Sequence, residues 1–153
     1  MNRIASFSVN HDKLEKGMYV SRIDGDVITY DIRMKKPNGG EYLSNGALHT
    51  FEHLFATYAR NSRYSENVIY VGPMGCRTGF YFLLRNTVSK PDAITLVKES
   101  FAFIRDFEGE IPGSHREECG NYKEHDLPGA KKTATDMLFV LAAWTEEQLE
   151  YEN

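Results

Sequence analysis

The sequence predicts an α+β protein: a compact single domain with an antiparallel β-sheet and helices packed on one face. Three observations carry that expectation. The chain has 153 residues, 41% hydrophobic and 26% charged, enough for one unit with a sizeable core. Residues 27–35 alternate with the two-residue period of a half-buried strand. Residues 44–60 and 89–109 instead repeat their apolar positions every three or four residues, as helices do. No repeat, low-complexity tract or Pro/Gly/Ser-rich linker interrupts the chain, so residues 1–153 read as one domain. The net charge of −4 and pI near 5.7 argue against a nucleic-acid partner. No apolar run approaches the roughly 20 residues of a membrane helix, and residues 1–11 lack the apolar block of a signal peptide. The expected setting is the cytoplasm, where a disulfide between Cys76 and Cys119 is not expected.

Taken in order, residues 3–9 alternate loosely and predict an edge strand ending at His11. Leu14 to Val20 predicts an irregular or extended piece. In the strand at 27–35, Ile28, Tyr30, Ile32 and Met34 share one face, and Thr29, Asp31, Arg33 and Lys35 share the other, read as solvated. Pro37-Asn-Gly-Gly40 stops it. Ser44 or Asn45 can cap the following helix, and Asn61-Ser62 can end it. Val68–Val71 and Phe80–Leu84 are strands on either side of a glycine-punctuated loop that carries Cys76. Ser89 caps the next helix, with Pro91 in its first turn and Gly109 at its close. Residues 129–150 predict a last helix, buried through Met137, Leu138, Leu141 and Trp144.

Within the helix at 44–60, His49, Glu52 and His53 lie three and four residues apart and so share a face. Two imidazoles can grip one metal ion there, with a carboxylate beside it; His-x-x-Glu-His is a metal-site pattern in reversed order. Two histidines leave a tetrahedral site incomplete, and a catalytic site takes a third protein ligand and keeps one open position. Cys119, Cys76, His115, His125 and His11 are the candidates, and spacing does not choose among them. A thiolate with two imidazoles suits zinc or iron(II).

These segments together resemble a known family. Ser6-Phe7 followed by His11, Tyr30-Asp-Ile-Arg33 with Pro37-Asn38, His49-Thr-Phe-Glu-His-Leu54, Pro73-Met-Gly-Cys-Arg-Thr-Gly-Phe-Tyr81 and Glu118-Cys-Gly-Asn-Tyr122 match, in order, the S-ribosylhomocysteine lyases of the LuxS family. The resemblance implies that His49, His53 and Cys119 hold the metal, iron(II) in the native state with zinc or cobalt able to substitute. It implies that Glu52 and Cys76 are the acid/base groups, that Ser6, His11 and Arg33 contact the ribosyl part of the substrate, and that Arg60 lies near the neighbouring subunit's site. It further implies a homodimer with active sites at the interface. The implied reaction splits S-ribosylhomocysteine into homocysteine and 4,5-dihydroxy-2,3-pentanedione, the autoinducer-2 precursor of quorum sensing, through carbonyl migration and β-elimination. The chain departs from the family pattern at Tyr70 and Gly72, where many members have Asp and Ser, at Asn10, which replaces an Asp before His11, and at Phe51, which replaces a Leu found in at least one form of the family.

Two rival readings stand beside this one. His-x-x-Glu-His also marks inverted-motif metallohydrolases, peptidases or amidases in which Glu52 would activate a metal-bound water. A purely structural metal would need a fourth protein ligand such as His115 or His125.

Overall fold

The computed structural model describes residues 1–152. A short helix α1 (Ala5–Ser8) precedes strands β1 (Gly17–Asp24) and β2 (Val27–Arg33). Helix α2 (Asn45–Asn61) follows, then β3 (Val68–Pro73) and β4 (Gly79–Arg85), helix α3 (Lys90–Asp106) and helix α4 (Leu127–Val140). The four strands form one antiparallel sheet in the order β1-β2-β4-β3. This is the α+β arrangement expected from the sequence, with the helices on one face.

That face is where the apolar halves of the alternating strands point. Met18, Ile28, Tyr30, Ile32, Val71, Phe80, Phe82 and Leu84 meet Phe51, Leu54 and Phe55 of α2 and Phe101 and Ile104 of α3 in one core. Phe51 packs against Phe80 and Phe101 at ring separations of 5.3 and 5.0 Å, and Phe55 against Phe82 at 4.9 Å. Burying a phenylalanine this fully is worth about 1.5–3 kcal/mol, so these two rings largely fix how α2 is rotated. The caps follow the expectation: Ser44 Oγ accepts from the Ala47 N–H at 3.2 Å, and Ser89 Oγ from the Asp92 N–H at 3.2 Å.

Two of the expected elements are corrected. Residues 3–9 form no edge strand: α1 occupies 5–8 and leaves Ile4 and Phe7 exposed, so their loose alternation reflects no sheet pairing. The piece at 14–20 is irregular and then extended, as expected, and from Gly17 onward it is the start of β1, paired with β2. The last helix ends at Val140 and not at residue 150. Beyond it Trp144 turns onto β1, donating its indole N–H to the Met18 carbonyl at 2.9 Å, and a 3-10 turn follows at Glu147–Leu149. A Cβ on Gly17 would collide with the Trp144 ring, so the glycine is what lets the indole lie there.

The second sheet face is not solvated at its centre. Asp31 and Arg33 are only 1% and 3% exposed. Arg33 faces Gly17 on one neighbouring strand and Gly79 on the other, while Asp31 lies between Tyr19 and Tyr81. The tail covers this region: Tyr151 stacks on Tyr19 at 5.1 Å and donates its hydroxyl to Asp31 at 2.6 Å. Alternation alone cannot reveal cover supplied by a segment some 120 residues away.

Gly79 sits so close to the Ile32 carbonyl that an added Cβ would clash with backbone, whereas nothing lies near a Cβ at Gly120. Gly79→Ala is therefore expected to lose about 1–3 kcal/mol in urea unfolding, with Gly120→Ala, on an exposed loop, much closer to the unaltered protein.

Candidate metal centre and thiol pocket

The inward packing of Phe51, Leu54 and Phe55 turns His49, Glu52 and His53 outward, toward the connection between α3 and α4. That connection holds both rings. The His49 Nδ1–H donates to the Glu124 carbonyl at 2.8 Å, and the His53 Nδ1–H donates to the Pro112 carbonyl at 2.8 Å. Each bond fixes the tautomer, so both Nε2 atoms present lone pairs, as ligating histidines commonly do. Gly113, in left-handed backbone at φ +71°, passes so close that a Cβ would stand 3.1 Å from His53 Nδ1. Cys119 Sγ lies 3.2 Å from His49 Nε2 and 4.0 Å from His53 Nε2. Metal–ligand bonds of about 2.3 Å to sulfur and 2.0 Å to nitrogen in a tetrahedron would separate these atoms by about 3.5 Å. The observed distances bracket that value, so the donor set fits a metal ion.

A third imidazole joins them as the fourth donor. One ligand atom from each of His49, His53, Cys119 and His125 lies within 4.8 Å of the others. The His125 ring stacks on His49 at 4.1 Å, and its Nδ1 is 2.9 Å from Thr50 Oγ1. Burial first, then the neighbouring His49 and His53, hold the His125 pKa below the usual histidine range. Of the other sequence candidates, His115 pairs with the Glu110 carboxylate and His11 places Nδ1 at 2.9 Å from the Val9 carbonyl; neither belongs to the cluster. Glu52 lies with His53, Ala56, Val71, Pro112 and Gly113 around a cavity of about 300 Å³.

Cys76 belongs elsewhere. It is exposed in the β3–β4 loop and opens onto a cavity of about 400 Å³ that Ser6, Phe7, His11, Arg33, Thr78 and Tyr81 help to line. None of the cavity's lining residues comes from the metal cluster. The three residues expected to contact the ribosyl part, Ser6, His11 and Arg33, therefore gather around the thiol. Arg33 donates from Nε and Nη2 to Asp31 at 3.1 and 2.7 Å, and from Nη1 to Thr78 Oγ1 at 2.8 Å. Burial opposes the Arg33 charge, but the Asp31 carboxylate outweighs it and the Arg33 pKa rises above its ordinary value. Since Thr78 accepts from Arg33, its own proton is free to go to Cys76 Sγ, 3.0 Å away. Arg60 is in neither group; at the end of α2 it donates to the Ile69 carbonyl at 2.9 Å.

The family model that matches residues 4–148 is described as S-ribosylhomocysteinase (LuxS). The chain belongs to the LuxS family. Similar proteins named S-ribosylhomocysteine lyase occur in Porphyromonas gingivalis, 49% identical over 99% of both chains, and in Phocaeicola vulgatus, 47% identical over 99% of this chain and 98% of that one. Another, from Clostridium acetobutylicum, is 45% identical over 99% of both chains. These comparisons do not support the metallohydrolase alternative.

The LuxS pattern located His49, His53, Cys119 and Cys76, but it did not mark Thr78, Asp31 or Tyr151 as companions of the thiol pocket. The two-residue spacings Asp31–Arg33 and Cys76–Thr78 were the available signals. If Cys119 is a ligand and Cys76 is not, elemental analysis of the purified variants will find Cys119→Ala depleted of metal and Cys76→Ala loaded like the unaltered protein.

Proposed function

We propose that this protein is an S-ribosylhomocysteine lyase, cleaving S-ribosyl-L-homocysteine to L-homocysteine and 4,5-dihydroxy-2,3-pentanedione. The observation that carries the reading is the pairing, in a LuxS-family chain, of a two-histidine, one-cysteine metal centre beside Glu52 with a loop thiol backed by Arg33 and Thr78. The reaction moves a carbonyl along the sugar by two proton shifts and then expels the homocysteine thiol. Each shift takes a proton from a carbon next to a carbonyl, which is barely acidic in water.

His49, His53 and Cys119 hold the ion, iron(II) in this reading, which supplies Lewis acidity toward the substrate's carbonyl oxygen when bound. The proton transfers belong to the protein. Cys76 serves one face of the sugar, its sulfur accepting from Thr78, and Glu52 serves the other. Ser6 and His11, beside Cys76, hold the ribosyl hydroxyls. Arg33 acts through its bond to Thr78 as well as from the cavity wall.

The active unit in this reading is a homodimer. Its support is the separation of parts: the thiol cavity draws no lining residue from the metal cluster, and Phe7, at 68% exposure, lines that cavity. A second copy would bring its metal centre, Glu52 and Arg60 to the Cys76 pocket. The proposed location is the cytoplasm, where two free thiols persist; no helix of the described residues is long and apolar enough to cross a membrane.

The anaerobically purified, iron(II)-loaded protein is expected to release free thiol from S-ribosylhomocysteine. Cys76→Ala and Glu52→Gln, assayed separately, should each lose at least about 100-fold in turnover, the usual contribution of a positioned acid/base group. A folded, metal-loaded protein that releases no thiol would refute the reading. Either variant turning over at the original rate would remove that residue from its role.

A further inference from the structure

The third imidazole of the cluster, His125, is held differently from the other two. His49 and His53 each face a backbone carbonyl through Nδ1, and a carbonyl can only accept. His125 instead faces the hydroxyl of Thr50, which can do either. Thr50 is fully buried, and its oxygen already accepts the Asp126 N–H at 2.9 Å. Among the described residues its hydrogen-bond partners are that N–H and His125 Nδ1. A buried hydroxyl proton needs an acceptor, and Nδ1 is the acceptor present. Thr50 therefore donates to His125, Nδ1 carries the lone pair, and the ring proton sits on Nε2. That atom is buried and has no protein partner. With Nδ1 turned to Thr50, Nε2 is the nitrogen left to address the cluster.

We propose that His125 is not a fourth ligand but a hydrogen-bond donor at the metal centre, set in its tautomer by Thr50, that binds an oxygen of the substrate there. A nitrogen bearing a proton has no lone pair to offer an ion. The coordination position that a fourth protein ligand would close stays open, and the neighbouring donor selects a ligand with a carbonyl or hydroxyl oxygen. Thr50 is the positioning residue. Its place on α2, one position after His49, gives the ligand helix control over the segment that carries His125.

This proposal rests on the reading of the cluster as a metal centre, and the test separates the two. The protein is loaded with cobalt(II), and three quantities are measured: bound cobalt per chain, the visible absorption of the bound ion and, with every chain carrying Cys76→Ala to stop turnover, calorimetric affinity for S-ribosylhomocysteine. His125→Ala is expected to keep its cobalt and its absorption bands, while affinity weakens by roughly 10-fold, the worth of one hydrogen bond to a desolvated group. His49→Ala is expected to lose the ion. Thr50→Val should match His125→Ala in both respects, and Thr50→Ser should restore affinity, a rescue that packing at this position does not explain. Loss of cobalt or altered bands in His125→Ala would make it a ligand and overturn the proposal. Retained cobalt with undiminished affinity would overturn it as well. If the unaltered protein takes up no cobalt, the metal-centre reading itself falls, and the proposal with it.

Discussion

The rotation of α2 is the constraint on which the candidate metal centre depends. Phe51 and Phe55 lock one side of the helix into the rings of Phe80, Phe82 and Phe101. Because residues three and four apart share a face, that packing leaves His49, Glu52 and His53 no choice but the opposite side. The connection between α3 and α4 then closes over them. Carbonyls of Pro112 and Glu124 aim the two rings, and Cys119 arrives between those two anchors. The energy that orients the two imidazoles thus comes from apolar burial in the core, while the outer loop contributes hydrogen bonds that select the tautomers.

A second, polar constraint organises the other face of the sheet. From Tyr151 through Asp31, Arg33 and Thr78, hydrogen bonds run to Cys76 without a break. A buried ion pair is costly to desolvate, and losing one partner typically costs about 3–5 kcal/mol. Such a pair is a poor choice for stability alone. Here it sets a cation, through one hydroxyl, behind the Cys76 sulfur, and residues of the tail cover it. The glycines that flank Arg33 across the sheet, Gly17 and Gly79, leave the strand free of competing side chains at that rung.

Much of this was legible in the sequence, because the relevant signals are local. The clean alternation of 27–35, the Ser caps at 44 and 89 and the spacing of His49 and His53 each depend on neighbours within a few residues. The failures are non-local. Residues 3–9 alternate but find no strand to pair with, and Trp144 leaves the last helix because β1 offers Gly17 and a free carbonyl at Met18. The solvated face assigned to Asp31 and Arg33 is covered by Tyr151, which no pattern near residue 31 announces. The place of His125 in the cluster depends on Thr50, 75 residues earlier, and spacing left it as one ligand candidate among several.

The proposed active site joins the metal centre of one copy to the thiol pocket of another. Complementation tests it most directly. Cys76→Ala and His53→Ala chains, each inactive alone, are mixed, dissociated and reassociated, and thiol release from S-ribosylhomocysteine is measured. A shared site places both defects in one site of the mixed dimer and leaves the other intact, so activity returns. A site contained within one chain leaves every site defective, and a mixture as inactive as its parents would contradict the account.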